Sequence, residues 1–67
     1  MDIATALGQS VNRLRQEKGI SQLQLSELAN LHLNSIQSIE SGKYIAKLTT
    51  VFQIAVALGV TASDLIT

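Results

Sequence analysis

The chain has 67 residues, 46% of them hydrophobic, 3% aromatic and 15% charged, with five Lys plus Arg balanced by five Asp plus Glu, which reads as one small neutral domain. It has no cysteine, so a disulfide framework and a thiolate zinc site are excluded, and the single His32 cannot build a metal centre alone. No apolar run reaches the roughly 18 residues of a membrane span, and Met1-Asp2-Ile3-Ala4-Thr5 lacks the basic segment of a secretory signal, so a cytoplasmic setting is expected.

Ala4, Leu7, Val11 and Leu14 recur at helical spacing between Ile3 and Lys18, with Asp2 as N-cap and Gly19 at the left-handed C-cap position. Gly8 lies inside this pattern at a cost of about 1 kcal/mol against alanine, which points to close packing there. Ser21-Gln22-Leu23-Gln24 is the S-x-x-Q form of a capping box and opens a second helix carrying Leu25, Leu28 and Ala29, ended at Asn30. A third helix follows at once, with Ile36 and Ile39 inward and Gly42 closing it. Two short helices joined by so short a turn are a helix-turn-helix. After a polar loop over 43–47, Leu48, Val51, Phe52, Ala55 and Leu58 predict a fourth amphipathic helix ending at Gly59. Thr61-Ala62-Ser63-Asp64 opens a last short turn with Leu65 and Ile66. No alternation of strand length competes, so the expected fold is all-α with five helices.

On a helical wheel the third segment turns Asn34, Ser38 and Ser41 away from Ile36 and Ile39, with Gln37 and Leu33 on the flanks. Each polar residue taken alone is ordinary surface. Together they form an outer face of amides and hydroxyls without Lys or Glu, which suits base edges: Asn or Gln binds adenine in bidentate fashion, and Leu33 suits a thymine methyl. In a helix-turn-helix the N-terminal part of the second helix is the part that reaches the bases.

At this point the sequence resembles the Cro/repressor-type, or Xre-like, helix-turn-helix domains. The stretches that carry the resemblance are Leu14-Arg15-Gln16-Glu17-Lys18-Gly19-Ile20-Ser21-Gln22, Leu25-Ser26-Glu27-Leu28-Ala29, Ile36-Gln37-Ser38-Ile39-Glu40-Ser41-Gly42-Lys43 and Ile54-Ala55-Val56-Ala57-Leu58-Gly59-Val60. The resemblance runs over about residues 7–66 and implies a compact five-helix domain of the lambda-repressor-like type, the expected single domain being 1–67, binding double-stranded operator DNA with a (pseudo)palindromic sequence as a homodimer with residues 32–41 as recognition helix. Leu33, Asn34, Gln37 and Ser38 then fall at base contacts, and Gln22, His32, Ser41, Lys43 and Tyr44 at backbone contacts. Arg15 and Glu40 match a structural ion pair. His32 stands where Ser or Thr usually caps the recognition helix, and Lys47 replaces the customary Ser cap of the fourth helix.

Zero net charge weighs against a nucleic-acid binder only if charge is spread evenly. With Arg15 held by Glu40, the remaining bases are Arg13, Lys18, Lys43 and Lys47. Lys43 and Lys47 flank the recognition helix, and the resemblance implies that the N-terminal half of the first helix lies away from them. Leu23, Leu28, Ile45, Val56 and Ile66 stand where this pattern puts polar residues. Val56 and Ile66 are the expected dimer interface, a self-complementary patch on the last two helices.

A repressor-like transcriptional regulator is the leading expectation. An antitoxin or a restriction–modification controller of the same fold is an alternative. A protein-interaction module that has lost DNA binding is another, favoured by Leu33 and the neutral charge. An enzyme is not expected, since Glu17, Glu27 and Glu40 fall on different helices and no phosphate-binding glycine loop is present; no cofactor is implied.

Overall fold

Asp2 starts the first helix by accepting from the Thr5 N–H at 2.7 Å, and the chain then builds five helices. The computed structural model describes residues 2–66; the ends of the expected 1–67 domain, Met1 and Thr67, lie outside them. The helices are α1 (Ile3–Lys18), α2 (Gln22–Ala29), α3 (Leu33–Glu40), α4 (Leu48–Leu58) and α5 (Ala62–Ile66). No strand occurs among the described residues.

Local chemistry sets most of the boundaries. At α2, Ser21 Oγ accepts from the Gln24 N–H at 3.0 Å and Gln24 Oε1 accepts from the Ser21 N–H at 2.8 Å, a complete capping box. Thr61 and Asp64 repeat the arrangement before α5 at 3.0 and 3.3 Å. Asn30 ends α2 at φ 58° in the left-handed region, the one non-glycine residue there among those described. Neither His32 nor Lys47 makes a side-chain cap bond, so α3 and α4 begin with their first N–H groups uncapped by a side chain.

The core collects Leu7 and Val11 from α1, Leu25 from α2, Ile36 and Ile39 from α3, Val51, Ile54 and Leu58 from α4, and Leu65 from α5. Fully burying such a side chain contributes about 1.5–3 kcal/mol. Helix α1 packs chiefly on α3 and α5, and α2 on α3 and α4.

Helix α4 corrects one expectation. Leu48 and Phe52 do not face the core; they are 68% and 51% exposed, and Ile54 is fully buried in their place. The helix is apolar nearly all round, so periodicity alone cannot choose between the stripe Val51-Ile54-Ala55-Leu58 and the stripe Leu48-Phe52-Val56. Contact with α2 chooses. Gln53 Nε2 donates to the Ala29 carbonyl at 3.1 Å, satisfying an acceptor at the end of α2 and fixing the rotation of α4. Leu28 on α2 is likewise 58% exposed.

Candidate nucleic-acid interface

Helix α3 turns Asn34, Gln37 and Ser38 to solvent, with Leu33 half-buried and His32 and Ser41 exposed at its two ends. The helical stretch is Leu33–Glu40, with His32 and Ser41 as caps. Ser41 Oγ donates to the Ser38 carbonyl at 2.6 Å. Its proton is therefore committed inside the protein. Phosphate oxygens only accept, so in this rotamer Ser41 has nothing to donate to a DNA backbone.

The angle of α3 is held by one buried carboxylate. Arg15 Nε and Nη2 donate to Glu40 Oε2 and Oε1 at 2.7 and 3.1 Å, a bidentate pair whose side chains are 13% and 4% exposed. Asn12 Nδ2 adds a bond to Glu40 Oε1 at 2.8 Å, and Arg15 Nη1 donates to the Ile20 carbonyl at 2.9 Å. Burial alone would push the Glu40 carboxyl up, but the donors from Arg15, Asn12 and Gln22, with the Arg15 charge, outweigh it and hold it below the usual carboxylate range. The hydrogen bond to Glu40 in turn raises Arg15. Asn12 was not singled out from the sequence, although it lies three residues before Arg15, on the same face of α1.

Gln22, expected on the DNA backbone, sits at the start of α2 with Nε2 donating to Glu40 Oε1 at 3.2 Å. A primary amide has two N–H protons, so one remains for a phosphate. The same carboxylate thereby ties together α3, α1 and the first residue of α2.

A second expectation is corrected at the end of α3. The N-terminal half of α1 does not lie away from Lys43. A Cβ placed on Gly8 would run into the Ile39 carbonyl oxygen and would stand 3.2 Å from the Gly42 nitrogen; one placed on Gly42 would meet Thr5 Cα at 3.3 Å. Two glycines let α1 settle against the C-terminal end of α3, and the φ of 77° at Gly42 is the left-handed value that glycine takes without strain. The first half of α1 is thus a direct neighbour of the segment that carries Lys43.

Of the charges elsewhere, half are paired or engaged at caps: Arg13 with Glu17, and Asp2 and Asp64 at helix starts. Arg13 and Glu17 pair at 3.3 Å, both well exposed. Among the described residues, Lys18, Lys43 and Lys47 have no ion-pair partner. Lys43, Tyr44 and Lys47 are exposed in the loop after α3. Asn34, Ser35, Ser38 and Tyr44 line an open recess of about 240 Å³. Ser35 was not assigned a role from sequence; it lies beside Asn34 but off the wheel position of Asn34 and Ser38.

The expected interface residues are both exposed. Val56 is 79% exposed and Ile66 55% exposed. Val56 lines a groove of about 350 Å³ between α2 and α4 with Leu28, Ala29, Asn30, Phe52 and Gln53, while Ile66 is outside it on α5. No helix is long and apolar enough to cross a membrane, and the described residues hold no cluster of His, Cys, Asp and Glu that could bind a metal.

A compact all-helical domain, with a polar reading helix set off by a short turn from a capped second helix, defines a helix-turn-helix module. A helix-turn-helix family matches residues 11–65, and the chain belongs to it, of the Xre-like kind. The immunity repressor protein of Bacillus phage phi105 is 35% identical over 60 residues, 90% of this chain, which spans 42% of the length of that repressor. The uncharacterized HTH-type transcriptional regulator y4dJ of Sinorhizobium fredii is 31% identical over all of this chain and 87% of its own. The restriction-modification controller protein C.AhdI of Aeromonas hydrophila superposes with a TM-score of 0.89 at 29% identity, over 92% of this chain and 94% of its own.

Proposed function

We propose that residues 1–67 are a single DNA-binding domain and act as a sequence-specific, repressor-like transcriptional regulator, reading a palindromic operator with residues 32–41. The observation that carries this is the face of α3: Asn34, Gln37 and Ser38 are exposed side by side, and the unpaired Lys43 and Lys47 follow directly in the next loop. Leu33, Asn34, Gln37 and Ser38 are the base contacts. Gln22, His32, Lys43 and Tyr44 are the backbone side, with Ser41 joining them only if it releases the Ser38 carbonyl. The repressor and regulator names of the relatives support this reading, as does the absence of a Lys or Glu on the reading face. The setting is cytoplasmic and the protein is not an enzyme.

A homodimer fits the charge. One chain offers few cations, and two chains read two half-sites about one helical turn apart. Val56 and Ile66 are the proposed contacts, joined on the α4 side by Phe52 and Leu28 across the α2–α4 groove, a surface with no charged lining residue to oppose a second copy. With two lysines per chain, log K against log salt has a slope of about −3 to −4 for a dimer, shallow for a repressor.

The test is selection of bound duplexes from a random pool, followed by footprinting. An inverted repeat with half-sites about 10 base pairs apart is expected. The double substitution Asn34→Ala with Ser38→Ala should abolish the preference; unchanged preference in that variant refutes the assignment of α3. The likeness to C.AhdI, whose whole length is nearly matched, favours a restriction–modification controller as the second reading, decided by whether the selected sequence lies upstream of restriction-enzyme genes.

A further inference from the structure

The recess beside α3 joins residues that the sequence keeps apart. Asn34, Ser35 and Ser38 form its helical wall, and Tyr44, six residues beyond Ser38, forms the other. Gly42 makes this possible: its left-handed φ of 77° turns the chain at the end of α3 so that Tyr44 comes back beside the helix that has just ended. The Tyr44 residue is 41% exposed, so much of its surface is covered while one side remains open to the recess.

We propose that this recess is a subsite for the C5-methyl group of thymine, with Tyr44 reading a base and not only the DNA backbone. The inference rests on the DNA-reading assignment of α3. Any base edge that meets Asn34 and Ser38 enters the space between them and Tyr44. The other three lining residues are polar, so Tyr44 brings the one aromatic ring among the residues that line it. Of the groups a base pair shows in the major groove, only the thymine methyl is apolar. The neighbouring amide and hydroxyls match what surrounds that methyl: Asn34 suits the adenine N6/N7 pair of acceptor and donor, and a serine hydroxyl suits the thymine O4 acceptor. A recess of about 240 Å³ admits the edge of a base together with its methyl. Ser35 thereby acquires a place in the site, as part of its helical wall.

The experiment uses the full chain and the duplex that it selects. Each thymine of the selected half-site is replaced by uracil, which removes the methyl and nothing else, and dissociation constants are measured for the wild type, Tyr44→Ala and Tyr44→Phe. One thymine per half-site is expected at which uracil weakens the wild type about fourfold, the effect of exposing one buried methyl-sized group. Tyr44→Ala should weaken the thymine duplex by at least a similar factor per half-site, about sixteenfold for a dimer on two half-sites, and be indifferent to uracil at that position. Tyr44→Phe keeps the ring, so it should keep the wild-type response to uracil, with any equal loss on selected and unselected DNA reporting the backbone contact of the hydroxyl; this variant also decides the matter should Tyr44→Ala lose its helical circular dichroism. The subsite is overturned if uracil sensitivity persists in Tyr44→Ala, if no thymine of the half-site responds, or if Tyr44→Phe, which keeps the ring, loses the uracil sensitivity of the wild type. Failure of the wild type to select any sequence overturns the DNA-reading assignment itself, a result distinct from the other three.

Discussion

Where α1 meets α3, backbone touches backbone. Gly8 has no room for a methyl group against Ile39, and beside this contact Glu40 is buried under donors from Arg15, Asn12 and Gln22. Where α2 meets α4, the helices part at the surface and leave a groove of about 350 Å³, rimmed by Leu28, Phe52 and Val56 at 58%, 51% and 79% exposure. The first seam is filled and directional, so it can hold α3 in one orientation. The second is unfilled and non-directional, so it can accept a side chain from elsewhere. Rigidity has been placed behind the reading helix, and spare apolar surface on the side that faces another chain in the proposed dimer.

Breaking the filled seam should have the largest effects. Glu40→Ala leaves the Arg15 guanidinium buried without its counter-charge and should cost about 3–5 kcal/mol in urea denaturation. A loss of that size would remove much of the stability of so small a domain. Gly8→Ala should follow, at about 1–3 kcal/mol, because the added methyl meets backbone that cannot swing aside. A loss below 0.5 kcal/mol there would mean that α1 can slide and that the seam is looser than its contacts show.

Acid sharpens the same comparison. The Glu40 carboxyl titrates below its ordinary value of 4.5 when folded, so it binds protons more readily in the unfolded chain. Its contribution is fully present above that value and is lost as pH falls through the depressed folded one. Asp2 and Asp64 are also lowered, chiefly by the N–H groups of Thr5 and Thr61, so acid removes their contributions too. The difference between wild type and Glu40→Gln isolates Glu40: stability curves should run parallel from pH 7 to pH 5 and converge below, measured by thermal denaturation across the series.

The unfilled seam should respond in the opposite way. Val56→Glu is expected to change stability of the isolated chain by no more than about 0.5 kcal/mol, as exposed positions do. Its effect should appear instead in sedimentation, where the proposed dimer predicts that the wild type associates in the micromolar range and that the variant stays monomeric. Ile66→Glu, outside the groove, separates the two halves of the proposed interface. If it alone abolishes association, α5 and not the α2–α4 groove carries the contact.

Much of this was legible in the sequence because it is short-range. A capping box needs residues three apart, and a left-handed Asn30 or Gly59 needs only its own backbone; these set the ends of α1, α2 and α4. The outward set of Asn34, Gln37 and Ser38 follows from 3.6-residue periodicity once Ile36 and Ile39 are taken as core. Gly8 showed as an anomaly inside a helix, which pointed to close packing without saying against what.

What the sequence by itself determined, then, is which segments are helices and which face of α3 is polar, since capping, turn geometry and periodicity act within a few residues. Tertiary structure alone decided which apolar stripe of α4 is buried, because several stripes were hydrophobic enough and packing against α2, α5 and α1, with the Gln53–Ala29 bond to α2, chose among them. It also decided that α1 lies against Gly42, that Gln22 and Ser41 have polar bonds inside the protein, and that Tyr44 shares a recess with Asn34 and Ser38. Each of those depends on distances between residues remote along the chain or across a turn, which pattern does not encode and packing sets.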